Sequence, residues 1–152
     1  MADLFDTRRA VQRDRMAFRL EVAADVSGDV ALLAERRRLR VEDLRGEALV
    51  IHAAGRSVMH GTVQALCRDA GFEPRVRHQV AETSTLVTFV AAGLGIAVVP
   101  EPVSRLGVAG TTYLPLADRD ARIDLGTAVR ADDDSPALAR VLTVLAQLAR
   151  GS

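Results

Sequence analysis

Apolar and polar positions alternate from Met16: Met16, Phe18, Leu20 and Val22 are separated by Ala17, Arg19, Glu21 and Ala23. A period of two is that of a strand with one buried face. Ser27-Gly28-Asp29 marks a turn, and the arginine-rich segment after it has Val41 and Leu44 as its apolar anchors. Ala48-Leu49-Val50-Ile51 is a short continuous apolar run, the pattern of a buried strand. After the Gly55-containing loop Ala53–Ser57, the stripe Met59, Val63, Leu66, Cys67 and Ala70 predicts a helix that Gly71 ends. Arg75–Val80 is the next strand. Glu82, Thr83 and Ser84 suit a helix start, and the run Leu86–Ala92, apolar on nearly every side, predicts a fully buried helix. Gly93-Leu94-Gly95 stops that helix, and Ile96–Val99 forms a buried strand closed by Pro100. A strand–helix–strand unit of this length predicts a parallel, helix-covered sheet.

The rest follows the same logic. Glu101–Leu106 predicts one helical turn, and Thr111–Leu114 and Ile123–Val129 predict strands. Ser135-Pro136 opens a last helix whose apolar face is Leu138, Val141, Leu142, Leu145 and Leu148. Met1–Arg15 has no clear period, so a polar tail or loosely held helix is expected over residues 1–15.

Composition narrows the function classes. The 152 residues are 49% hydrophobic, which indicates a folded core, and the formal net charge is zero. A neutral chain has no field to attract nucleic acid or an anionic membrane, so no direct DNA binding by this chain alone is expected. The single cysteine excludes an internal disulfide. With no apolar run of roughly 18 residues and a charged N-terminus, a soluble cytoplasmic protein without membrane contact is expected.

Candidate chemistry gathers at two strand-to-helix loops, Ala53–Ser57 and Ala81–Ser84. In a parallel sheet both lie at the carboxyl edge, where helix N-termini present unpaired N–H groups. Arg56, Ser57, Thr83, Ser84 and Thr85 therefore supply donors suited to a small anion, although the hydroxyls can equally cap their own helices. The Gly93/Gly95 pair does not make a dinucleotide site, because it follows a helix rather than a strand. Gly55-Arg56-Ser57-Val58-Met59 resembles a nucleophile elbow, but Met59 stands where the second glycine belongs. His52, His60 and His78 have no metal-ligand spacing with Cys67 or one another, and Cys67 falls on an apolar stripe. No catalytic residue, metal or cofactor is expected. An esterase-like enzyme using Ser57 and a transport solute-binding protein are the alternatives from other classes.

With these residues in view, the chain resembles the effector-binding domain of a LysR-type transcriptional regulator. The resemblance rests on LLAERRRLRVEDLRGEALVI (Leu32–Ile51), AGFEP (Ala70–Pro74), ETSTLVTFVAAGLGIAVVPEPV (Glu82–Val103), GVAGTTYLPL (Gly107–Leu116) and TAVRADDDSPALARVL (Thr127–Leu142). Of these, VAAGLGIAVVP is the most specific. The resemblance implies an α/β, type 2 periplasmic-binding-protein-like fold: one complete Rossmann-like lobe plus strands and a helix of a second, partial lobe. Residues 33–117 would be lobe II, and 16–32 with 118–150 the remnant of lobe I and its hinge strands. A winged helix-turn-helix, a linker helix and most of lobe I would be missing, leaving the last helix with an exposed apolar face that favours oligomerisation.

The resemblance also implies a role: a small-molecule sensing module of a transcription regulator, a homo-oligomer without catalysis. By it, the loop after Ala48–Ile51 would touch the effector through Ala54, Arg56, Ser57, Val58 and Met59, and Thr83, Ser84 and Thr85 would face the same cleft. Arg56 offers a fork of donors matched to a carboxylate. A small organic anion is therefore expected, its apolar part against Val58 and Met59. With one cleft wall mostly absent, affinity would be about millimolar at best, roughly 4 kcal/mol.

Overall fold

The computed structural model describes residues 10–26 and 36–150. Residues 1–9 of the expected tail and the expected Ser27–Asp29 turn lie outside the described residues. The elements are β1 (Ala10–Asp25), a 3-10 turn (Val41–Leu44), β2 (Ala48–His52), α1 (Val58–Asp69), β3 (Arg75–Val80), α2 (Thr83–Ala91) and β4 (Ala97–Pro100). A second 3-10 turn (Glu101–Leu106), β5 (Thr111–Pro115), β6 (Arg122–Arg130) and α3 (Pro136–Arg150) complete the order. β1 begins at Ala10, so part of the segment expected to be a tail is strand.

The chain forms two compact units, a larger one over Phe18–Ile123 and a smaller one holding the start of β1 and the chain from Asp124 onward. In the larger unit, Phe18–Asp25 supplies a central strand of the sheet. β1 pairs antiparallel with β4 on one side (Leu20 with Pro100 through Ala23 with Ala97) and with β5 on the other (Glu21 with Pro115 through Asp25 with Thr111). β2 and β3 pair in parallel from Ala48/Arg75 to His52/Val80. The two ladders meet at Ile96, whose N–H donates to the Ala48 carbonyl (2.9 Å) and whose carbonyl accepts the Val50 N–H (2.8 Å). The order across the larger unit is thus β3-β2-β4-β1-β5. The sheet is mixed rather than all parallel, because β1 runs against both of its neighbours.

Alternation along these strands fills two opposite faces. On one, Leu20, Val22, Leu49, Ile51, Ile96 and Val98 pack with Met59, Val63 and Cys67 of α1. On the other, Ala23, Val50, Ala97 and Val99 pack with Leu86, Val87 and Val90 of α2. α2 is not fully buried as its composition suggests: Ser84, Thr85 and Thr88 are exposed, and only one side meets the sheet. Both helices end in a Schellman motif. In α1 the Phe72 and Gly71 N–H groups donate to the Cys67 and Arg68 carbonyls; in α2 Leu94 and Gly93 donate to Phe89 and Val90.

In the smaller unit, Ser135 opens α3, its hydroxyl accepting the Leu138 N–H at 3.3 Å. Leu138, Leu142 and Leu145 are half-buried, whereas Val141 (54% exposed) and Leu148 (57% exposed) of the same expected face lie open. In β6, Ile123, Thr127 and Val129 follow the expected alternation, but Leu125 is 61% exposed. Among the described residues, no helix is long and apolar enough to cross a membrane.

Candidate functional site

The parallel pairing of β2 and β3 brings His52 and Val80, their last residues, to one sheet edge. The Ala53 N–H donates to the Val80 carbonyl (2.8 Å), so the ladder continues one step into the loop. The chain then turns over, with the Arg56 N–H on the Ala53 carbonyl (3.1 Å) and Gly55 at φ +74°, and α1 begins. After β3 only Ala81 and Glu82 intervene before α2. Both helices thus start at the carboxyl edge.

A histidine ties the two loops together. His52 is 5% exposed, and its Nε2 lies 3.1 Å from the hydroxyl of Thr83, the first residue of α2. The His52 carbonyl is in turn bonded by Nδ1 of His60, in the first turn of α1, at 2.8 Å. A carbonyl only accepts, so this bond fixes a proton of His60 on Nδ1. Burial pushes the His52 imidazole below its ordinary pKa of 6.5, against a smaller upward pull from the Glu82 carboxylate. His52 is therefore neutral at neutral pH.

The two helix starts differ in how their free N–H groups are used. Ser57 caps α1, its hydroxyl accepting the Met59 N–H at 3.2 Å. At α2 the cap residue is Glu82, which makes no side-chain cap bond, and the helical ladder opens with the Leu86 N–H on the Glu82 carbonyl (3.0 Å). The N–H groups of Thr83, Ser84 and Thr85 are thus left for solvent or ligand. Ala54 and Arg56 are exposed on the turn, Val58 is 70% exposed, and Ser57 and Thr83 are half-buried. Met59 is a correction. It is 4% exposed and packs in the α1 core, because position i of the i, i+4, i+8 stripe with Val63 and Cys67 points inward. Its side chain faces the core rather than the rim expected for it.

Sequence spacing assigns no role to His52 or His60, since neither has a ligand partner at a telling distance. The one local signal is a polar residue closing a buried strand directly before a loop. The Nδ1 of His60 is bonded to the His52 carbonyl and the Ser57 oxygen accepts the Met59 N–H, so each has a structural partner at the start of α1. Burial raises the Cys67 thiol to about 11, consistent with a core residue. Among the described residues, no three metal-ligating side chains come together.

A mixed sheet covered on opposite faces by helices that start at one edge is the architecture of a periplasmic-binding-protein-like lobe. Residues 21–150 match the LysR substrate binding domain, and the chain belongs to that family. It is 38% identical over 85 residues to the HTH-type transcriptional regulator TtuA of Agrobacterium vitis, covering 55% of this chain and 28% of TtuA. Full-length CbnR complexed with its target DNA superposes with a TM-score of 0.82 at 20% identity, over 93% of this chain and 49% of CbnR. The BenM effector binding domain with its effector benzoate gives 0.74 at 23% identity, over 97% of this chain and 65% of that domain. The fold is accordingly the type 2 periplasmic-binding-protein-like α/β fold. The chain spans less than half the length of the curated relatives it matches, which are transcriptional regulators rather than enzymes.

Proposed function

We propose that this chain is the effector-sensing module of a LysR-type regulator, acting in the cytoplasm and taking a small organic anion at the carboxyl edge of β2 and β3. The observation that carries the reading is the start of α2, where three consecutive N–H groups, Thr83 to Thr85, follow an N-cap with no side-chain bond. An uncapped helix N-terminus favours an anion through both its donors and its dipole. Arg56 stands on the neighbouring turn with a guanidinium matched to a carboxylate, and Val58 offers exposed apolar surface for the rest of the molecule. Glu82 opposes the anion from the same edge, but it is exposed and screened by water.

Benzoate, the effector of the BenM domain, is the first probe. In a titration followed by amide chemical shifts, the signals of Thr83–Thr85 should move, with weak affinity of about millimolar. Arg56→Ala should weaken binding and Glu82→Gln should strengthen it. Shifts that avoid both loops, or that are indifferent to both substitutions, would refute the site. Self-association is the second part of the proposal. Val141 and Val144, each 54% exposed on α3, give a second copy apolar surface to bury. Sedimentation of a Val141→Asp/Val144→Asp chain should then report a smaller species than the parent, and an unchanged species would remove α3 from the contact.

A further inference from the structure

A concavity of about 250 Å³ lies on the larger unit between the end of β5 and the start of β6. Its floor is Leu116 and Ala121, buried at 4% and 2% exposure. Arg19, Arg38, Arg119 and Arg122 form its walls, with Asp118 as the only acid among the lining residues. The Asp118 carboxylate is already committed, accepting the Val41 N–H at 2.9 Å. Among the described residues, no ion pair involves any of the four guanidiniums. Other arginines do find partners: Arg36 meets Asp43 at 2.7 Å, and Arg130 meets Asp133 at 3.8 Å.

The backbone beneath these arginines is fixed. Leu39 N–H donates to the Pro115 carbonyl and Ala117 N–H to the Leu39 carbonyl, at 3.1 and 2.8 Å, locking the segment that carries Arg38 against the end of β5. Leu116 N–H donates to the Leu20 carbonyl, and Leu20 N–H to the Ala121 carbonyl, both at 3.0 Å, which sets Arg19 beside Arg119 and Arg122. Four like charges held around one hollow repel one another, and the single Asp118 carboxylate offsets only one of them. A concave wall with a clear excess of one sign also focuses its field inward. The lining thus carries four positive charges against one negative in a chain whose formal net charge is zero.

We propose that this hollow binds a small polyvalent oxyanion, a phosphate compound or a polycarboxylate, through the forked donors of Arg19, Arg38, Arg119 and Arg122. Both ligand types share the feature recognised: several oxygens and at least two negative charges within a few ångströms, each oxygen pair matching one guanidinium. The site is separate from the β2–β3 edge, since β5 stands three strands from β2, about 14 Å away at ordinary strand spacing. Neither site requires the other.

The test is calorimetric titration of the full chain at low ionic strength with inorganic pyrophosphate, citrate and acetate in parallel. Pyrophosphate or citrate should bind, the tighter of the two identifying the source, and acetate should bind at least about tenfold more weakly, a difference of about 1.4 kcal/mol. Arg38→Ala/Arg119→Ala should weaken the polyanion at least about tenfold as well. Arg105→Ala, an exposed arginine outside the hollow, should leave it unchanged. An Arg119→Lys chain should lose part of the affinity, since an ammonium keeps the charge but not the fork. Absence of polyanion binding, equal affinity for acetate, or equal losses from the Arg105 variant would overturn the proposal. Circular dichroism of each variant confirms that the fold is retained.

Discussion

Replacing Gly95 with alanine should do more harm than the same change at Gly55. Gly95 has φ +146°, and a Cβ built there would lie 2.5 Å from the Ala48 carbonyl oxygen, 3.2 Å from its carbon and 3.4 Å from a Val50 methyl. The oxygen belongs to backbone, so no side-chain rotation relieves the clash. Separating the atoms draws Ile96 away from β2 and strains both hydrogen bonds, 2.9 and 2.8 Å, that join β2 to β4. The backbone conformation costs about 1–3 kcal/mol for a non-glycine residue, and weakening two backbone bonds costs about 0.5–1.5 kcal/mol each. Together the loss is about 2–6 kcal/mol, a large share of the roughly 5–15 kcal/mol that holds an ordinary domain. Urea unfolding followed by far-ultraviolet circular dichroism measures it. Gly55→Ala is the control: its φ is +74°, but nothing lies within 4 Å of the added carbon, so only the left-handed backbone penalty of about 1–2 kcal/mol applies. If Gly95→Ala costs no more than Gly55→Ala, close approach to Ala48 is not what fixes the junction of the two ladders.

Arg45 donates to the Ala70 and Gly71 carbonyls at the end of α1 (3.0 and 3.2 Å) and lies 4.9 Å over the Phe72 ring. Arg45→Ala should cost about 1 kcal/mol in the same unfolding assay, and an unchanged midpoint would mean the side chain is merely solvated. His52 has a folded pKa below 6.5, so the fold binds fewer protons than the unfolded chain. Its contribution is present in full above pH 6.5 and is lost as pH falls through the folded value; His52→Gln should flatten that part of the stability–pH curve. Glu21 has the opposite sign, because burial and the Glu101 carboxylate raise its pKa above 4.5, against a smaller downward pull from the Ser104 hydroxyl. Folding is favoured by its proton below 4.5 and loses that benefit as pH rises through the folded value. Glu21→Gln should therefore raise the melting temperature near neutral pH relative to the parent, and a gain that is equal in acid would contradict the assignment.

Sequence periodicity locates nearly every element because each contrast it depends on is local. α1 is the clearest case, since the stripe Met59, Val63 and Cys67 is the face found buried. What periodicity cannot carry is strand order, which depends on contacts far apart in the chain. Nothing local in Phe18–Asp25 distinguishes an edge strand from the central partner of both β4 and β5. The same gap explains α2: its mean composition suggests burial all round, but only one sheet face is available to cover it, so Ser84, Thr85 and Thr88 remain in solvent.

The candidate site divides along that line. Parallel pairing and crossover handedness place both loop sequences at one edge whatever their side chains are. The geometry within that edge is not legible in the same way, because each role depends on a few ångströms. Met59 and Val58 are neighbours in sequence, yet a rotation of about 100° per residue puts one in the core and the other in water. Ser57 and Glu82 occupy equivalent cap positions, and only Ser57 uses its side chain there. That asymmetry leaves the donors of α2 free while those of α1 are partly satisfied. His52 then has a definite structural role, since it is neutral, buried and bonded to Thr83, and so holds the uncapped helix start against the end of β2. An anion at Thr83–Thr85 would meet donors already held in place by a group that carries no charge of its own.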